Sequence, residues 1–257
     1  MKILAVDSSS KTASACLLED GAIRAESSVL TDTHSAVLLP MIGDMLRAVK
    51  TSVGGLDLLA VTVGPGSFTG VRIGVSTVKG LAFADRIPCA GISTLEAMAY
   101  GFAGIPGLVA PVIDARRGTV FTALFRSNEK GGCARLTADE QLPLDALMER
   151  LADYPKERIY FTGDAYPQAH AHPRCPENAA FTPEKLRMSS AYGAGVRAYE
   201  LFTAPDADPA QLEADPGIRG AVWRELKPAL ASKDPRRRET ALRALRFALS
   251  AIEGDRA

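Results

Sequence analysis

The feature that most limits what this chain can become is that it starts over. The stretch LAVDSSSKTASACLLEDGAI (4–23) and the stretch APVIDARRGTVFTALFRSNEKG (110–131) share one plan. Each runs apolar strand, aspartate, short polar turn, second strand, turn. Asp7 and Asp114 hold equivalent places about 107 residues apart, and self-similarity at that spacing predicts two related lobes.

The elements between the two copies fix the class of lobe. KILAV (2–6), ASACLLED (13–20) and AIRAESSVL (22–30) are joined by tight turns and read as a three-stranded meander. Leu38, Met41, Ile42, Met45, Leu46 and Val49 then recur at helical spacing, with Thr33 and Ser35 as caps and Pro40 marking a start or a kink. DLLAVTV (57–63) is a buried strand ended by Gly64-Pro65-Gly66. A helix follows from Phe68 to Ala84 with Val71, Val75, Val78 and Ala82 on one face. PCAGI (88–92) is strand-like, and Ser93 with Glu96 three residues on forms a capping box for a helix through Tyr100. Strands and helices alternating in this order predict an α/β sheet. The second copy is followed by a helix at 143–151, a strand at 158–163 and a helix around 189–203. The polar, Pro-rich run 203–217 reads as a linker. A final helix is capped by Asp234, opened by Pro235 and stopped by Gly254, with Leu242, Leu245, Leu249 and Ile252 as its apolar stripe. Its arginines, Arg236, Arg237, Arg238, Arg243 and Arg246, fit a docked surface helix or a basic patch. The lobes are drawn at 1–105 and 106–220, with an extension at 221–257.

GPGSFTG (64–70) is where chemistry is expected. Backbone N–H groups at a Gly-rich turn entering a helix can hold an anion. The motif is neither a Walker A loop nor Gly-x-Gly-x-x-Gly, since the next lysine is Lys79. Spacing leaves a phosphate site and a plain strand-to-helix turn both open. Asp7, Ser9, Gly64, Gly66, Ser67 and Asp114 are the residues such a nucleotide site would use. Gly70, Gly74 and Gly80 lie inside the helix, where each costs about 1 kcal/mol against alanine. They call for close approach of a backbone, either the protein's own sheet or a partner helix.

Other chemistries find little support. DSSS lacks an evident histidine partner, since the histidines are His34, His170 and His172. In HAHPRC, His170, His172 and Cys175 have metal-ligand types but sit among prolines, which favours a solvated loop. Thirty basic and thirty acidic residues give no global attraction to nucleic acid. Four scattered cysteines suit a reduced, cytoplasmic setting, the leading apolar run is too short for a secretory signal, and no membrane span is expected.

The run GPGSFTGVRIGVSTVKGLAFADRIPCAGISTLEAMA (64–99), with AVDSSSKTASACL (5–17), HSAVLLPMI (34–42) and VIDARRGTVF (112–121), resembles the TsaB (YeaZ) family. The resemblance is continuous over about residues 1–125 and weak afterwards. It implies a duplicated ASKHA (actin/sugar kinase/Hsp70-like) fold. It also implies work beside the catalytic paralogue TsaD and the ATPase TsaE, which together place a threonylcarbamoyl group on the adenosine next to the anticodon of tRNAs reading codons that begin with A. In TsaD a Gly-Val-Asn-His-Leu-Glu-Gly-His segment supplies the metal-binding histidines. The matching stretch here, GISTLEAM (91–98), puts Thr94 and Met98 at those places, a poor donor pair for the ion concerned.

The resemblance therefore implies a non-catalytic partner with no metal or cofactor of its own. It would contact tRNA indirectly, pair with TsaD, meet TsaE through the complex, and form a homodimer when isolated. The family pairs through the two helices after HSAVLLP and GPGSFTG, which nominates Leu38, Met41, Met45, Gly70, Val71, Gly74, Val75 and Val78 as the interface. Two departures stand out: the family's Tyr-Leu-Arg appears at best as Gly217-Ile218-Arg219, and the Arg-rich end looks like an added extension. An independent nucleotide-hydrolysing or sugar-kinase-like enzyme on the same fold is the rival reading. A self-associating binding protein is the third.

Overall fold

The structure is a computed structural model that describes residues 1–85 and 87–204. β1 (Lys2–Asp7), β2 (Thr12–Glu19) and β3 (Ala22–Leu30) form the expected meander, each antiparallel to the next. β4 (Leu58–Thr62) and β5 (Cys89–Ile92) add in parallel on the other side of β1, giving the order β3-β2-β1-β4-β5. α1 (His34–Ala48) and α2 (Phe68–Asp85) lie in the two connections and cover one face. A parallel neighbour needs such a crossover, and a β1 strand covered on both faces needs the continuous apolar run that KILAV supplies.

The second sheet repeats the plan. β6 (Gly107–Asp114) is its central strand. β7 (Thr119–Thr122) and β8 (Phe125–Ser127) are two pieces of one antiparallel partner. β9 (Cys133–Arg135) pairs with β8 as β10 (Glu140–Pro143) pairs with β7. β11 (Ile159–Thr162) and β12 (Ala179–Ala180) then follow in parallel, so the order β10-β7-β6-β11-β12 matches the first sheet strand for strand. This is the duplicated ASKHA arrangement. α4 (Leu144–Leu151) and α5 (Tyr166–His170) cover the outer face of this sheet around Phe161 and Leu108.

Strand alternation sorts the first core. Leu4, Val6, Leu17 and Val61 face α1 and α2, whereas Ile3, Ala5, Leu18 and Ala60 face the opposite way. Each such leucine, fully buried, contributes about 2 kcal/mol of transfer free energy. What covers the second face is α7 (Ala191–Thr203), which the chain makes only after the second sheet. Conversely α3 (Thr94–Tyr100), made before the second sheet, packs Leu95, Met98 and Tyr100 against Val109, Phe125 and Tyr160. The inner helices have changed sides.

Several expectations are corrected. α1 begins at His34 and runs through Pro40 instead of starting there. Thr33 holds the N-cap position without a side-chain cap, because its hydroxyl pairs with Thr31 and Ala36 N–H uses its carbonyl. Only half of the capping box forms. Ser93 Oγ accepts from Glu96 N–H at 3.3 Å, while the Glu96 carboxylate turns to arginines. The strands β9, β10 and β12 and the short α6 (Glu184–Arg187) were not anticipated; two to four residues carry too little periodicity. The linker beyond residue 204, Gly217-Ile218-Arg219, the terminal helix and the extension at 221–257 lie outside the described residues.

Candidate functional site

The β1–β2 turn and the GPGSFTG loop meet at one end of the first sheet. Asp7 is fully buried there. Its Oδ1 accepts from Ser9 N–H at 2.9 Å, Ser9 Oγ at 2.6 Å and Thr62 Oγ1 at 2.6 Å, and its Oδ2 accepts from Ser189 Oγ. Four donors thus converge on one carboxylate, and hydrogen bonds to the charged form are what make a buried carboxylate tolerable.

The glycine loop clamps the same turn. Ser67 N–H donates to the Ser9 carbonyl at 2.7 Å, and Ser8 Oγ donates to the Gly70 carbonyl at 2.8 Å. A Cβ on Gly66, whose φ is +155°, would stand 2.4 Å from the Ser9 carbonyl oxygen. On Gly70 it would stand 2.0 Å from the Ser8 carbonyl oxygen, and on Gly74 2.4 Å from Ser8 Oγ. Gly70 and Gly74 of α2 admit the protein's own β1–β2 turn, which settles for these two the choice the sequence left open. The third and fourth amides of α2 are also occupied: Gly70 N–H reaches Ser67 Oγ at 3.2 Å and Val71 N–H the Ser67 carbonyl at 2.9 Å. Three of the N–H groups that could cradle a phosphate, those of Ser67, Gly70 and Val71, are spent on contacts within the protein. Asp7, Ser9, Gly66 and Ser67 are therefore brought together, with Gly64 adjoining through its carbonyl, which accepts from Thr94 N–H at 2.8 Å.

Asp114 belongs elsewhere. It is exposed at the end of β6, accepts from Arg116 N–H at 2.7 Å, and its own N–H donates to Asp164 Oδ1 at 2.8 Å. Asp164 is exposed overall, yet desolvation of its carboxyl and then the neighbouring Asp114 hold it above the usual carboxylate range. Asp164 and Ser189 were missed by sequence reading. The signals were present, in a Gly-Asp pair at a strand end and a Ser-Ser pair before a helix.

The expected interface residues are mostly interior. Leu38, Met41, Met45, Val75 and Val78 are buried in the core between α1, α2 and the sheet, and Val71 is half-buried against it. Gly70 and Gly74 face Ser8. The apolar faces of α1 and α2 are the sides that meet the protein's own sheet. The outward side of α2 instead carries Phe68, 68% exposed, and Phe83, 82% exposed, with the Arg72 guanidinium 3.4 Å from the Phe68 ring centroid.

Thr94 and Met98 are buried on α3, and Thr94 Oγ1 has no hydrogen-bond partner. Among the described residues no group of three or more His, Cys, Asp and Glu stands together as a metal site. His172 Nε2 lies 3.3 Å from Asp145 and its Nδ1 accepts from Arg174 N–H, so that segment is a loop tied to α4. His34 Nε2 reaches the Ser10 carbonyl at 2.8 Å, not a serine hydroxyl. Burial pushes the Cys16 and Cys133 thiols up to about 12 and Cys89 to about 11, which keeps them protonated at neutral pH. A groove of about 680 Å³ lies between β3 and α1, on the lobe's flank and away from Asp7. No helix of the described residues is long and apolar enough to cross a membrane.

Comparison with known proteins gives a consistent picture. The family model of TsaD, tRNA N6-adenosine threonylcarbamoyltransferase, matches residues 28–171. The tRNA threonylcarbamoyladenosine biosynthesis protein TsaB of Bacillus subtilis is 33% identical over 64% of this chain and 72% of its own length. The protein of that name from Escherichia coli is 40% identical over 51% of this chain, and the match spans 58% of that relative. A Pseudomonas aeruginosa crystal structure, described as an uncharacterized protein with similarity to the peptidase YEAZ, superposes with a TM-score of 0.68. It is 26% identical, over 82% of this chain and 95% of that one.

Proposed function

We propose that this chain, which belongs to the TsaB (YeaZ) family, is a non-catalytic subunit in the synthesis of tRNA threonylcarbamoyladenosine. It pairs with TsaD, meets TsaE through that complex and tRNA indirectly, and acts in the cytoplasm. The tRNAs concerned read codons beginning with A. The observation that carries the reading is Asp7. Its carboxylate is saturated by Ser9, Thr62 and Ser189, and Ser67 N–H of the adjoining loop is bonded to the Ser9 carbonyl of the same turn. Such a carboxylate has no free face for a metal–nucleotide. The purified chain should neither hydrolyse ATP nor transfer a carbamoyl group, while restoring modification when added to TsaD and TsaE. Steady turnover by the chain alone, lost in Asp7→Asn, would overturn this.

The partner surface is proposed on the outward side of α2, with Phe68 and Phe83 as anchors. Both rings are exposed, Phe68 carries the Arg72 guanidinium on its face, and phenylalanine and arginine are enriched at protein interfaces. The same face would make the homodimer of the isolated chain. Replacing Phe68 and Phe83 together by alanine should weaken TsaD binding and homodimer at least tenfold with the melting temperature unchanged. Undiminished binding by that folded variant places the interface elsewhere.

A further inference from the structure

The exchanged helices meet each other. α3, seated on the second sheet, and α7, seated on the first, are packed so closely that a Cβ on Gly193 would stand 1.9 Å from the Ala97 carbonyl oxygen. Any change in the angle between the lobes must slide these two helices.

A row of alternating charges crosses that contact. Asp139, from the second lobe, accepts from Ser93 Oγ at 2.6 Å and from Arg135. Arg135 lies 3.5 Å from Glu96 on α3 and has its guanidinium 4.7 Å from the Phe125 ring centroid. Glu96 Oε1 is 3.0 Å from Arg197 on α7, Arg197 is 3.5 Å from Glu200, and Tyr100 Oη donates back from α3 to Glu200 at 2.5 Å. Glu96 is only 17% exposed, so the centre of the row is sheltered from salt. The start of α7 is held separately, by Ser189 on Asp7 and by Ala191 N–H on Ser14 Oγ at 2.9 Å.

We propose that these contacts are a latch, fixing the two lobes in one relative arrangement whether or not a nucleotide is supplied. Closure about a bound nucleotide, the motion a two-lobed site makes available, is given up for a rigid body that a partner can lean on. Glu96 is the pivotal group, because it alone in the row touches arginines from both the second lobe and α7.

The test reads the distance between lobes on the isolated full chain. Spin labels go on Ala48→Cys and Asp153→Cys, both exposed, with Cys89 and Cys175 replaced by serine. The parent should give one narrow distance distribution, unchanged by millimolar Mg·ATP. Glu96→Gln combined with Arg135→Gln should broaden it at least twofold, and Gly193→Ala should shift its mean. If the double variant fails a thermal-melt check for folding, Glu200→Gln alone, which cuts the outer end, should broaden it by less. A parent distribution that is broad or moves with Mg·ATP overturns the latch, as does a folded double variant as narrow as its parent. The readout concerns the chain by itself, so it stands apart from whether TsaD binds.

Discussion

Asp7 and Asp114 end the central strands of the two sheets, in the same topological place, and do opposite things. Asp7 is sealed under four donors, one of them arriving from Ser189, 182 residues along the chain. Asp114 sits in the open and caps its own turn. Duplication kept the position of the carboxylate and not its surroundings. In one lobe it became part of the core; in the other it shapes a surface turn.

The contrast is broken most severely at Asp7. Asp7→Ala leaves buried Ser9, Thr62 and Ser189 donors without their acceptor and should cost about 4 kcal/mol, read by urea unfolding. Asp114→Ala should cost under about 1 kcal/mol, the worth of one exposed turn bond. Equal losses at the two positions would mean that burial does not separate them.

Glycines sharpen the same comparison. Gly70→Ala drives a methyl into the Ser8 carbonyl and should cost about 3 kcal/mol. Gly118, in the β6–β7 turn, has φ +73° and open space around it, so Gly118→Ala should cost only about 1 kcal/mol from backbone strain. Matching values would show that the first loop is not clamped.

The smallest effect has the opposite sign. A carboxyl whose folded pKa is raised binds its proton more tightly folded than unfolded. Stability from Asp164 is therefore fully present below its unfolded value and is lost as pH rises through the folded one. Asp164→Asn keeps an acceptor for Asp114 N–H and should raise the melting temperature at pH 7 by about 1–2 °C, a gain that disappears below about pH 4. A gain that persists in acid would assign the effect to something other than the carboxylate charge.

Much of this was legible in advance. The apolar runs at 2–6 and 57–63, the meander between residues 12 and 30 and the helix from Phe68 showed in hydrophobic period and turn residues, and the Asp7–Asp114 repeat disclosed the duplication. What stayed hidden depends on distant segments. Nothing local says that Gly70 and Gly74 face Ser8, that Ser189 closes over Asp7, or that Val78 faces inward while Phe83 faces out. Helical periodicity gives an apolar side without saying whose surface it meets. That is why the expected interface fell on the core side of α1 and α2.

The exchange of α3 and α7 also governs how the protein can be made. The first sheet has its last strand at Ile92, but the helix that covers Ile3, Ala5, Leu18 and Ala60 begins at Ala191. At about 5–20 residues per second on a ribosome, that face waits roughly 5–20 s for its cover. During that interval the nascent chain presents a strip of bare apolar side chains, the kind of surface that trigger-type holding chaperones bind. A fragment cut after residue 105, where the sequence suggests a finished lobe, would keep that strip exposed for good and should be recovered insoluble.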